Sequence, residues 1–561
     1  MNTPPSAPRN APSPDVLSSL PRLPAGWPAV FDAKTLPALA GVLQGYAQAR
    51  RWFRAKNRGT QTARIVELLS LTEEPLARAS DVLVLLELSF AAGSPELYVI
   101  PLAHVDGTQA ATIASETPHG LVAQLEGSGG AEPSSAASVL VDGLVAGRAA
   151  SWLARLARSG GERAGEGGRL RGHPEPAFTH LPEELLQAPQ LAKGEQTNST
   201  VSFGEKVLLK IYRQLTAVPN PELEMGLFLD GTIGTKGDAR RRPPPVLGAL
   251  SYEAVDGVVH SVGIAHQYVG NQGDAWSLVQ RELQDYFART PGQAASSPPA
   301  VGRFAELAET LGRRTGELHL ALAKADGSDP AFAVEPLTSE DRVQAAARAS
   351  AMLEEHSTAL RTRLERLSAE ARRSAETLLA TDSRERRGLE ALLARFGKES
   401  LEVVKTRIHG DLHLGQVLFH GDDFTIIDFE GEPARPLAER RAKSSPLRDV
   451  MGMVRSFSYA PEAVMRKDPD PTKREKLQAA AAHWQAEVRA RYLRGYQTTV
   501  GNAPFLPPPT EPAKLELMLA FYELERVIYE VGYELNNRTD WVDIPLDGLR
   551  KLAAAVSGEK T

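Results

Sequence analysis

The residues with the most chemical content lie in one run, RIHGDLHLGQVLFHGDDFTIIDFEGEP, residues 407–433. Two short apolar stretches, VLF and FTIIDF, flank HGDD, and this pattern predicts a β-hairpin. With the turn centred between Gly421 and Asp422, residue 428 falls opposite residue 415, which brings Asp428 beside Gln416. A carboxylate and an amide oxygen side by side are hard oxygen ligands, suited to an Mg²⁺ ion that bridges phosphates. Asp411 lies in the loop entering the hairpin, near such an ion without ligating it, where a base for an attacking hydroxyl belongs.

Phosphate chemistry also needs a cation. KVLLKIYR puts Lys210 in an apolar strand, and NPELE, opened by Asn220 and Pro221 in cap-then-proline order, starts a helix offering Glu222 and Glu224 as its partner. A Lys on a strand, a Glu on the next helix and a distant HGD…D loop is the order of parts in protein-kinase-like phosphoryl transfer. Tyr522, Tyr529 and Tyr533 share one face of a late helix, and Arg538 and Trp541 follow directly. Aromatic platforms beside hydrogen-bonding groups suit a sugar, so Tyr529, Tyr533, Arg538 and Trp541 are candidate pocket residues. His409 and Glu430 are placed with the acceptor, His409 orienting the loop and Glu430 bracing it or backing the metal. His319, on an apolar helix face, reads as structural.

The elements that must position these groups follow from patterning. The chain has 561 residues, 42% hydrophobic and 24% charged, the proportions of a globular protein long enough for about three or four domains. Its 64 Lys+Arg against 70 Asp+Glu leave a net charge of -6, which disfavours a nucleic-acid partner. With Cys at 0, disulfides, thiolate catalysis and Cys-ligated metals are excluded. A start without an apolar run, and no run of about 18 apolar residues anywhere, predict a soluble, cytoplasmic protein without membrane contact. Residues 1–28, rich in Pro, Ser and Ala, read as a disordered tail. Residues 29–180 read as an α+β module, with the Gly- and Arg-dense stretch 158–176 as a linker or insertion. Residues 181–270 are mainly sheet with one helix. From 271 to 561 the chain is mostly helical, including one long charged helix over 340–380 and a second opened by the cap TDS at 381–383.

HGDLH followed by an Asp-bearing strand resembles the aminoglycoside-phosphotransferase-like kinases. HGDLHLGQVL, DFEGEPARPLAERRAKSSPLRD, NPELE and YEVGYELNNRTDW together resemble the bacterial maltokinases, over roughly residues 36–555. The resemblance implies an α+β, bilobal protein-kinase-like fold with an N-terminal cap module, a β-rich nucleotide lobe and a helical catalytic lobe. It implies transfer of phosphate from ATP, with Mg²⁺, to the anomeric hydroxyl of maltose for α-glucan synthesis, and an association with trehalose synthase or related enzymes. It assigns Asp411 as base, and Gln416, where most related kinases have Asn, with Asp428 as metal residues. Lys210 becomes the phosphate-holding lysine, with Glu224 favoured over Glu222 as its partner. Ser199 and Thr200, within GEQTNSTVSFG, fall to the loop over the nucleotide, and Gln267 to Val269 to the connector facing adenine. Thr539 departs from the usual Pro in NNRTDW, and WFRAKNR replaces a more glycine-rich turn. Two alternatives stay open: a kinase of another acceptor such as glucosamine, glucose or an aminoglycoside, and a nucleotide-binding regulator without turnover.

Overall fold

The computed structural model describes residues 15–56, 58–126, 138–192, 197–216, 219–233, 243–290, 300–324, 327, 329–468 and 470–556. They fall into two compact units, one within Met1–Leu227 and Pro244–Val269, the other within Phe228–Pro243 and Gly270–Thr561.

The first unit holds two sheets. In one, the β-rich runs predicted for the N-terminal module form the meander Thr60–Ser70, Asp81–Phe90 and Glu96–Val105, extended by Ser138–Asp142 and Leu121–Leu125. The helix Leu36–Gln48 covers a face rich in Val, Leu and Ile, and Trp52 and Phe53 are buried in the same cluster. The other sheet runs Glu162–Ala164, Gly168–Pro174, Val246–Ala254, Val259–Gln267, Val207–Ile211, Ser199–Phe203 and Pro189–Leu191, antiparallel throughout. One buried cluster joins the sheets: Leu69, Leu83, Leu85 and Val99 from the first, Val201, Phe203, Leu209 and Ile211 from the second, with Ala149, Leu153 and Ala157 of the helix Arg148–Ser159.

Three sequence expectations change here. The stretch 158–176 is no linker: Glu162–Ala164 and Gly168–Pro174 form a hairpin whose second strand pairs with Val246–Ala254 over seven positions. A Cβ on Gly172 would sit 1.9 Å from the Leu156 carbonyl, so the glycines there allow close packing of helix on strand. The boundary near 180 accordingly runs through one sheet. Of the predicted tail, residues 1–14 lie outside the described residues. Residues 15–28 are ordered, Arg22–Leu23 pairing in parallel with Gln124–Leu125 and Leu23 buried, because this short run carries the apolar residues Val16, Leu17, Leu20 and Leu23.

The second unit is helical around one small hairpin. The stretch 340–380 is two helices, Ser339–Arg361 and Ala369–Leu379, with a short 3-10 turn Leu364–Arg366 between them, and Ser368 caps the second by accepting from the Ala371 N–H at 3.2 Å. Leu353, Leu360, Leu367, Ala371 and Leu378 of the heptad stripe are buried all the same. Ser383 caps Arg384–Lys398 as its sequence context implies. Among the described residues no helix is long and apolar enough to cross a membrane.

Candidate active site

In the first unit Lys210 occupies an interior strand, opposite Thr200 on one side and Ile264 on the other. Its Nζ donates to Glu222 Oε2 at 2.9 Å, and both side chains are largely buried. This corrects the preference for Glu224. Residues two apart on a helix point about 200° from each other, so one of the pair faces the strand. Asn220 Oδ1 accepts from the Glu222 N–H at 2.8 Å and sets that phase. Tyr212 donates to the same carboxylate oxygen at 3.1 Å, and His266 Nε2 stands 3.4 Å from the other. Burial alone would raise the Glu222 carboxyl; the Lys210 ammonium and His266 override that and bring it down to about 2. Ser199 Oγ accepts from Arg213 Nε at 2.8 Å, and Thr200 is half-buried beside it. The connector differs from expectation: the Gln267 N–H donates to the Pro245 carbonyl and the Tyr268 N–H to the Lys206 carbonyl, both at 2.9 Å. The Gln267 backbone N–H is therefore already taken by pairing along the strand.

In the second unit the hairpin pairs Val417 with Ile426 and Leu418 with Thr425, the register that sets 428 opposite 415. Gln416 Nε2 donates to Asp428 Oδ2 at 2.8 Å. Asp428 has φ 68°, and among the described residues no other non-glycine has a positive φ. Such a conformation costs roughly 1–3 kcal/mol and persists where the surroundings over-determine it, often at functional sites. A carboxylate oxygen of Glu430 comes within 4.8 Å of one of Asp428. This set of hard oxygens is suited to Mg²⁺, with Glu430 beside Asp428 in it.

The loop before the hairpin is held from behind. Asp449, fully buried, accepts from the His409 N–H at 2.7 Å and the Gly410 N–H at 2.8 Å. His319 Nε2 lies 3.2 Å from the same carboxylate and its Nδ1 3.0 Å from the Tyr496 hydroxyl, so the structural reading of His319 acquires a task. Burial disfavours the Asp449 charge, but these donors lower its pKa regardless. His409 Nε2 contacts the Ile427 carbonyl at 2.9 Å, and its Nδ1 accepts from the Asp411 N–H at 3.3 Å. Both nitrogens contact the loop's own backbone and the ring is buried, so the His409 ring is committed to holding this loop.

Asp411 stands in a dry, charged setting. Burial raises its carboxyl well above the usual range, and the Glu432 carboxylate adds to the effect, while Arg526 opposes it. The Arg526 guanidinium lies 3.7 Å from Asp411, 3.6 Å from Glu432 and 3.7 Å from Glu530. His413 Nε2 is 4.0 Å from Asp411, and burial, with Arg526 nearby, drops its pKa to about 4, leaving it neutral. Tyr529 shares a small cavity wall with Asp411 and Arg526, and its ring centre is 5.1 Å from the Arg526 guanidinium. Tyr533 keeps ring contact with Tyr529, their centres 6.3 Å apart, and Arg538 lies 5.8 Å from the Tyr533 ring centre. Tyr533 is 44% exposed. Arg538 is tied to Glu534 at 2.7 Å and its guanidinium lies 4.7 Å from the Trp541 ring centre. Trp541 lines a different cavity of about 580 Å³ with Trp276, Gln280, Arg281, Arg466 and Lys467.

Sequence reasoning passed over Glu432, Asp449 and Arg526. The first two sit inside quoted motifs, GEP and SPLRD. Arg526 fits the helical spacing of the tyrosine stripe, four after Tyr522 and three before Tyr529, and that periodicity was its signal.

Residues 264–431 match the model of the phosphotransferase enzyme family. The chain is 26% identical over 371 residues to a glucosamine kinase of Mycolicibacterium smegmatis, covering 64% of this chain and 80% of that protein. A glucosamine kinase of Streptacidiphilus jiangxiensis is 26% identical over 138 residues, 25% of this chain and 29% of that protein. Two glucosamine kinase structures have the same fold. One, in crystal form B, gives a TM-score of 0.56 at 19% identity, covering 91% of this chain and 98% of that one. The other, in complex with glucosamine, ADP and inorganic phosphate, gives 0.57 at 18% identity, covering 88% and 95%. The fold is the α+β, protein-kinase-like one expected, and the matched segment includes the HGDLH loop and the hairpin after it, up to Gly431. The family match and the named relatives agree that this chain is similar to phosphotransferases, with sugar kinases among them.

Proposed function

We propose that the protein is an ATP-dependent, cytoplasmic kinase of a sugar or aminosugar hydroxyl. Lys210, held by Glu222, binds the nucleotide phosphates, with Ser199 and Thr200 over them and Val269 toward the base. Asp428 and Gln416, backed by Glu430, hold Mg²⁺. When bound, that ion neutralises charge developing on the phosphates. The acceptor oxygen attacks the γ-phosphorus, the bond to the β–γ bridging oxygen breaks, and ADP leaves. Asp411 orients the hydroxyl and takes its proton; the raised pKa makes it a stronger base than an ordinary carboxylate.

The observation that carries the acceptor class is the Glu432 carboxylate beside Asp411, with the Arg526 guanidinium shared between the two, while Glu530 is paired with Arg455 at 2.8 Å. That excess of negative charge favours a protonated amine on the acceptor, and the relatives named glucosamine kinase agree with an aminosugar. Maltose, phosphorylated at its anomeric hydroxyl, is the second reading. The DFEGEP…SPLRD run and Gln416 favour it, and an association with trehalose synthase belongs to it alone. An ADP-release assay across glucosamine, maltose, glucose and an aminoglycoside tests both. Turnover of glucosamine at least tenfold above maltose is expected; maltose as best acceptor would reverse the order, and no turnover with any sugar would sink the reading.

A further inference from the structure

Arg213 follows the phosphate-side lysine strand by two residues, and the chain changes sheets there. Val207–Ile211 belongs to the second sheet, while Gln214–Leu215 pairs with Leu97 and Tyr98 of the N-terminal sheet. The Arg213 carbonyl accepts from the Val99 N–H at 2.8 Å, fixing the crossing point. The side chain is buried and binds in both directions. Nη2 pairs with Asp142 of the N-terminal sheet at 2.7 Å, and Nε donates to Ser199 on the strand beside Lys210 at 2.8 Å. Asp142 is itself held. It accepts from the Tyr46 hydroxyl at 3.1 Å, a group on the helix Leu36–Gln48, and caps the helix Gly143–Ala146 through the Leu144 N–H at 3.0 Å. A continuous polar line therefore runs from Tyr46 through Asp142 and Arg213 to Ser199.

Such a line is a costly way to join two sheets that already share an apolar core. A buried ion pair contributes little to stability against well-packed apolar residues, and Arg213 Nη1 has no hydrogen-bond partner among the described residues. What the line adds is orientation. A guanidinium fork fixes the angle between its two partners, which apolar contact does not. Ser199 is the end that this fork aims.

We infer that Arg213 is a positioning residue through which the N-terminal module sets the strand over the nucleotide. The inference rests on the kinase reading, with Ser199 at the phosphates. It makes the N-terminal module part of nucleotide affinity, although Tyr46 belongs to the helix that covers the N-terminal sheet.

The test is a double-mutant cycle on the affinity for Mg·ATP, by calorimetry, in the full-length protein. Tyr46→Phe and Ser199→Ala each remove one hydroxyl at opposite ends of the line. Each is expected to weaken Mg·ATP about 3- to 10-fold, the range of one lost hydrogen bond. The double variant is expected to be no weaker than the worse single variant, since the line is already broken. Arg213→Lys keeps the charge for Asp142 and loses the fork, and should weaken Mg·ATP as Ser199→Ala does. Melting temperatures are recorded alongside. If the two losses simply add, or if Tyr46→Phe lowers only the melting temperature, the positioning role is wrong. Lys210→Ala is the control for the underlying reading: unchanged Mg·ATP affinity there refutes the nucleotide assignment itself, whatever the cycle shows.

Discussion

The two functional groupings of this molecule handle charge in opposite ways. Around Glu222 the balance is closed: one carboxylate meets Lys210, Tyr212 and His266, and its pKa falls to about 2. Around Asp411 it is open: carboxylates outnumber the one guanidinium they share, and the Asp411 pKa rises. The first arrangement is finished without a ligand and serves to hold a lysine still. The second is strained until something cationic or proton-donating arrives, which is what a base needs. Burial is common to both, so the sign of the shift is decided by the neighbours.

The largest expected effect comes from relieving the open site. Asp411→Asn should lower kcat by about 10²–10⁴-fold, the usual contribution of a general base, with Mg·ATP affinity unchanged. It should also raise the melting temperature at neutral pH. A carboxyl whose folded pKa is raised binds more protons folded than unfolded, so it costs stability as pH climbs from the unfolded value through the folded one. An amide removes that cost. Paired kinetics and melting curves check both, and a destabilised, inactive variant would count against the open-charge description. The same sign places the acid limb of the wild-type rate profile at higher pH than an ordinary carboxylate base would give.

Opening the closed site should act next most strongly. Glu222→Gln is expected to weaken Mg·ATP at least about fivefold more than Glu224→Gln, because Glu222 carries the 2.9 Å bond to Lys210. Here linkage runs the other way. The Glu222 charge adds stability above its unfolded pKa near 4.5, and the gain disappears as pH falls toward 2. Wild type and Glu222→Gln should therefore converge in melting temperature across that window. Equal effects of the two substitutions would restore Glu224.

A third change probes the frame under the closed site. Gly172→Ala should destabilise by about 1–3 kcal/mol in denaturant unfolding, since a methyl there meets the Leu156 carbonyl. A true linker would tolerate it. The smallest effect is expected from Tyr533→Ala, a residue 44% exposed: a melting temperature within about 2 °C of wild type, on the scale of a surface substitution. A raised KM for the sugar in that stable variant would make Tyr533 an acceptor contact; an unchanged one would confine the pocket to the Tyr529 side.

Much of the catalytic half was legible because its parts are close in sequence. A tight hairpin has one good register, so the Gln416–Asp428 contact follows from the turn position alone. Caps such as Ser383, and the buried leucines of 353–378, are likewise local: side-chain spacing sets which face is apolar. What needed the folded chain were choices between local equivalents and meetings of distant segments. Glu222 and Glu224 are indistinguishable in composition, and helix phase against the lysine strand separated them. The glycines of 158–176 carry the composition of a loop, and only the strand Val246–Ala254, far along the chain, turns them into a sheet edge. Asp411 acquires its charge environment from Arg526 and Glu432, and His409 its fixed ring from Ile427. Electrostatics and backbone pairing act through space, so residues a hundred positions apart set what a motif of five can do.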